Sequence, residues 1–165
     1  MEAEVPSPDS KVHSKRLGRE LAMQYLFKLD MSQETDTPEQ WEAFRATAAE
    51  TMGMHENRQS RKAFEYAERL VAGIAAHRSA VDEAILGRLD HWDWNRLLTI
   101  DRNVMRVAVF EMLFVPEVPP VVSISEAVEI VRDYSGPQSG NFVNGVLNSL
   151  KETLKRPPRE AVDSL

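Results

Sequence analysis

Four histidines, at positions 13, 55, 77 and 91, are the residues of this 165-residue chain best suited to acid–base or metal chemistry. Their spacing matches no metal-ligand pattern, and the sequence contains no HExxH. The densest cluster, Asp90-His91-Trp92-Asp93, reads as a surface connection anchored by tryptophans rather than as a proton relay. There are no cysteines, which removes disulfides, thiolate nucleophiles and sulfur-ligated zinc. Gly136 and Gly140 frame a turn, not the strand-to-helix junction of a phosphate loop. Adjacent acids such as Asp82-Glu83 are explained by a solvated helix face. The expectation is a protein without catalytic residues, metal or cofactor.

Charge is the second source of chemistry. The net charge is −6 at pH 7, which excludes a globally basic nucleic-acid binder and leaves only a local patch. Such a patch exists near the start. Residues 11 to 28 hold Lys11, Lys15, Arg16, Arg19 and Lys28 against the single acid Glu20, whereas the first ten residues carry three acids and no base. On a helix, Lys15, Arg16 and Arg19 fall within about 100° of arc, beside the apolar line Leu17, Leu21, Tyr25, Leu29. A basic strip flanking a docked face can touch phosphates; solvated surface charge is the plainer alternative. A second unusual stretch runs from Arg102 to Phe114. Its apolar residues cover the whole helix circumference, so it is buried or covered by a partner. Arg106 and Glu111 interrupt it. A buried Glu111 needs a donor, and either an internal salt bridge or the edge of a protein–protein interface supplies one.

The elements that position these residues are predicted to be helices throughout. The 77 residues from Glu39 to Val115 contain no proline and are rich in helix formers, and no two-residue alternation is long enough for a sheet. The first helix is expected from about Ser14 to Asp30. Thr37-Pro38-Glu39-Gln40 opens the second as a capping box with proline at the first helical position, and Gly53 ends it. Further helices carry Phe64 to Ile74 and Val81 to Leu89. Asp101 is expected to cap a helix ending near Phe114, and Ser123-Ile124-Ser125-Glu126 to open the next as a second capping box. Residues 135–140 read as a loop, with a last helix from Asn141 to about Leu154. Asn144-Gly145 is also a hairpin signal, but Val143, Leu147, Leu150 and Leu154 keep a helical period through it. The expected organisation is a disordered tail over 1–12, a helical domain over 13–155 and a flexible tail over 156–165. An acidic, proline-containing start and no long apolar run make a cytoplasmic protein without a membrane span the expectation.

Several segments together resemble the NusB family of bacterial transcription antitermination factors. They are Lys15-Arg16-Leu17-Gly18-Arg19-Glu20-Leu21-Ala22 through Leu26-Phe27, Asp101 through Leu113, Val118-Pro119, Ser123 through Glu129, and Phe142-Val143-Asn144-Gly145-Val146-Leu147. The resemblance spans about residues 14 to 154 and implies an all-α fold of about seven helices in two packed subdomains, with Asn144-Gly145 inside a helix. It implies binding of single-stranded boxA-type RNA from ribosomal RNA leader transcripts, as a heterodimer with the ribosomal protein NusE. That assembly helps RNA polymerase read through terminators. Carried over residue by residue, Lys15, Arg16, Arg19, Gln138, Ser139 and Phe142 are the implied RNA contacts, and Phe27, Arg106 and Glu111 the implied partner contacts. A homodimer of the free protein is also compatible with the family. The competing readings are a helical adaptor that binds only protein and a stand-alone relative of the N-terminal domain of ribosomal RNA cytosine methyltransferases. A helix-turn-helix DNA binder is disfavoured, because the helices from 102 and 124 are apolar or acidic.

Overall fold

A computed structural model of the chain describes residues 8–90 and 93–165; the side chains it describes begin at Ser14. Among these residues there is no strand. The elements are α1 (Pro8–Ser32), α2 (Pro38–Thr51), α3 (Arg58–Ala76), α4 (Arg78–Leu86), a 3-10 turn at Trp94–Arg96, α5 (Thr99–Phe114), α6 (Pro120–Ser135) and α7 (Pro137–Lys151). They form two compact units, Met1–Val71 and Ala72–Leu165, each described by itself. His91 and Trp92 lie outside the described residues, and with them the sequence cluster around Asp90.

In the first unit the apolar line of α1 is buried as its spacing predicts: Leu21, Ala22, Tyr25, Leu26 and Leu29 are all removed from solvent. Tyr25 sits at the centre of an aromatic cluster, edge-on to Trp41 at 5.0 Å and tilted to Phe44 at 5.2 Å between centroids. Its hydroxyl donates to the Asp36 carboxylate, which ties α1 to the residues just before α2. The expected cap of α2 is present: Thr37 Oγ1 accepts from the Gln40 amide at 3.1 Å, with Pro38 opening the helix.

In the second unit α5 packs against α4, α6 and α7, and Met105, Val109 and Met112 are buried completely. The circumference of α5 is apolar because other helices cover it from several sides. Boundaries differ from the sequence expectation: α1 begins at Pro8, within the tail expected over 1–12, α4 ends at Leu86 and α7 at Lys151, and the starts of α5, α6 and α7 are displaced. Asp101 does not cap α5; Leu98 precedes its first turn and Asp101 lies within it, its carboxylate turned to α7. The helix assigned to the capping box at Ser123 starts earlier, at Pro120, and Ser123 is buried inside it. Residues 137–140 are helical, so the expected loop reduces to Gly136, with φ 98° and ψ −178°. In both helices proline at the first position, with φ preset and no amide to satisfy, overrides the weaker cap signal downstream. Asn144-Gly145 is helical.

The C-terminal residues also depart from expectation. Arg156 reaches back and donates to the carbonyls of Met112 (3.0 Å), Val115 (3.3 Å), Pro116 (3.1 Å) and Val118 (2.9 Å). The amide of Val121 donates to Pro158 O at 3.0 Å and that of Val162 to Pro116 O at 2.9 Å. One guanidinium thus gathers a carbonyl from the last turn of α5 and three from the connection that follows it, and residues 156–162 lie along that connection as a strap.

Candidate nucleic-acid interface

The basic strip of α1 is placed by Gly18. A β-carbon there would come within 2.9 Å of the Ala63 carbonyl oxygen and 3.0 Å of the Tyr66 ring, so α1 and α3 approach more closely than any side chain permits. One turn before Gly18, the Lys15 ammonium lies 5.4 Å from the centre of the Tyr66 ring. Ser14 is held to α3 through a bond to the Gln59 carbonyl at 3.5 Å. Between the helices opens a pocket of about 370 Å³ lined by Ser14, Lys15, Lys62, Glu65, Tyr66 and Arg69. Lys15 and Arg16 are partly exposed and able to meet a phosphate. Arg19 is 3% exposed, with its guanidinium 5.7 Å from the centre of the same tyrosine ring. Of the three basic residues of the strip it is the enclosed one, packed against the Tyr66 ring of α3. Helical spacing put Arg19 on the strip; only the nearness of α3 removes it from solvent.

The expected contacts on α7 divide in the same manner. Gln138 is exposed and Phe142 partly so. Ser139 is buried and donates to Asp101 Oδ2 at 2.8 Å, which holds the first turn of α7 to the first turn of α5. Burial pushes the Asp101 carboxyl above its ordinary range, against the hydrogen bonds of Ser139 and Ser135. Lys15 and Arg16 belong to the first unit, Gln138 and Phe142 to the second.

Of the expected partner contacts, Phe27 is half-buried on α1, one turn before Met31, which is 63% exposed. Arg106 and Glu111, the other two, are buried in the second unit. Arg106 is buried and makes a bidentate pair with Asp82 at 2.8 and 3.1 Å, donates to Asn103 Oδ1 at 3.0 Å, and lies 5.2 Å from the Trp94 ring centre. Its donors are committed within the second unit. Glu111 is 0% exposed and already engaged within the protein. Sequence reasoning missed Lys62 and Arg69 as neighbours of Lys15, and Met31 beside Phe27. Lys62, Tyr66 and Arg69 recur at helical spacing, a signal that gains meaning only once α3 is known to face α1.

Among the described residues no group of three histidines or acids is arranged to hold a metal, and no helix is long and apolar enough to cross a membrane. The profile of the NusB family matches residues 16–152. The chain belongs to the NusB family. The transcription antitermination protein NusB of Myxococcus xanthus (strain DK1622) is 36% identical over 144 residues, covering 87% of this chain and 99% of that protein. The protein of the same name from Bacillus cereus (strain B4264) is 35% identical over 85% of this chain and 98% of its own length. Among solved structures, T. maritima NusB superposes with a TM-score of 0.69 at 29% identity, over 90% of this chain and 93% of that one. A crystal structure of antitermination factors NusB and NusE in complex with double-stranded RNA matches with a TM-score of 0.70 at 26% identity, over 86% of this chain and 98% of that one. Within the NusB family, then, this chain keeps a cationic pocket on α1 and α3 while its overall charge is acidic.

Proposed function

We propose that this chain is an RNA-binding transcription antitermination factor. In this reading it binds boxA-type RNA of ribosomal leader transcripts together with a NusE-type ribosomal protein, and the assembly helps RNA polymerase read through terminators. The observation that carries it is the partly exposed Lys15 on one wall of a cationic pocket, with partly exposed Arg16 next to it in sequence, in an acidic chain of the NusB family. Such a pocket attracts a polyanion locally where the molecule as a whole does not. On α7, exposed Gln138 supplies a polar contact and part-exposed Phe142 a face for a base, while Phe27 with Met31 supplies apolar surface for the protein partner.

Fluorescence anisotropy of a labelled boxA-type strand, titrated with this chain alone and with the NusE-type protein, tests the reading. Binding that is salt-sensitive and tighter in the pair is the expected result. Association with the partner and no gain in RNA affinity would leave a protein-only adaptor. Double-stranded RNA is a second reading, supported by the related complex that contains it. An unlabelled duplex competing as well as the single strand would favour that ligand.

A further inference from the structure

We propose that Lys62 and Arg69 of α3 join Lys15 of α1 in a phosphate-binding pocket that carries the RNA backbone from α1 onto α3. The proposal rests on the RNA-binding reading above and names contacts beyond it. Lys62, Tyr66 and Arg69 stand at positions i, i+4 and i+7, so they share one stripe of α3, with the two cations roughly 10 Å apart along the axis. The close approach at Gly18 sets Lys15 on the opposite wall. Three cations line the pocket against one carboxylate, Glu65, in a chain whose net charge is −6. Lys62 is partly exposed and Arg69 exposed, so both can reach an anion in solvent.

The pocket also indicates what it does not read. Tyr66 is only 8% exposed and its ring already faces Lys15, which leaves no open aromatic face for a base. The ligand chemistry is therefore phosphate, and the contribution is independent of base sequence.

The test uses the full chain with the NusE-type partner, a labelled boxA-type strand and a scrambled strand of equal length, over a series of salt concentrations. K62A/R69A is expected to weaken both strands by the same factor. The slope of log K against log salt should become shallower by about 1.4, roughly 0.7 for each lost single-strand phosphate contact. Lys62→Arg with Arg69→Lys should keep the slope, and Glu65→Gln, at an exposed position, should strengthen binding to both strands. The last two variants preserve the test should the double alanine variant fold poorly. Unchanged affinity and slope in K62A/R69A, while the unaltered protein binds RNA, would overturn this pocket alone. A loss confined to the boxA-type strand would overturn the phosphate assignment. No binding by the unaltered protein would overturn the RNA reading itself.

Discussion

Three charged side chains of α5, Asp101, Arg106 and Glu111, are buried, and a buried charge is tolerated only with partners in place. Arg106 meets this need with the Asp82 carboxylate, Asn103 and the Trp94 ring. Asp101 meets it less completely: Ser139 donates to one carboxylate oxygen, and burial raises its pKa above the ordinary range. A raised carboxyl pKa means that the folded state holds the proton at pH values where the unfolded chain has released it. Stability therefore falls as pH rises from the ordinary carboxylate range through the folded value, and the cost persists at neutral pH. Asp101→Asn keeps an acceptor for Ser139 without the charge. Urea unfolding should show the variant gaining on the parent as pH rises through that window; an identical pH dependence would mean that Asp101 does not titrate abnormally. The α5 pattern made Arg106 and Glu111 visible in sequence, whereas Asp101 read as a helix cap. It did not show whether this chain or a partner covers them, because Asp82 and Ser139 lie 24 and 38 residues away.

At the level of elements, two glycines of similar sequence context have opposite roles. Gly136 alone joins α6 to α7, with φ 98° and ψ −178°, a region essentially closed to side chains. Gly145 is an exposed interior position of α7, and a β-carbon there would meet nothing within 4 Å. Gly136→Ala should lower the stability of the fold by about 1–3 kcal/mol, and Gly145→Ala should raise it by about 1 kcal/mol. Urea midpoints of the two variants, measured side by side, check both signs. The same junction shows the reach of local reading. Proline, glycine and hydrophobic period located every helix, and of the box expected at Thr37 the side-chain cap on the Gln40 amide is present, while the Gln40 side chain accepts from Lys28. The starts of α6 and α7 were displaced because Pro120 and Pro137 preorganise a first turn, a stronger constraint than the downstream Ser123 box or the polar run 135–140. The strap at Arg156 had no periodic signal at all; its acceptors are carbonyls 38 to 44 residues upstream.

Over the whole molecule, a net charge of −6 opposes any polyanion, so attraction depends on distance. At physiological salt the screening length is about 8 Å, and acids farther than this from the α1–α3 pocket are largely silent. Lowering the salt lets them act, so log K against log salt should bend toward a shallower slope at low ionic strength. Under the proposed RNA-binding function the two units offer chemically different groups: cations at Lys15 and Arg16 in the first, and Gln138 and Phe142 in the second. Salt separates them. Lys15→Ala should reduce the slope by about 0.7, so its cost fades as salt rises. Phe142→Ala should leave the slope alone and remove a roughly constant 1–3 kcal/mol, the worth of one stacked base. Should Phe142→Ala instead lower the unfolding midpoint and leave RNA affinity unchanged, the ring belongs to the packing of α7. Recognition would then rest on the backbone contacts of the first unit, and discrimination between boxA-type and scrambled strands would have to come from the protein partner.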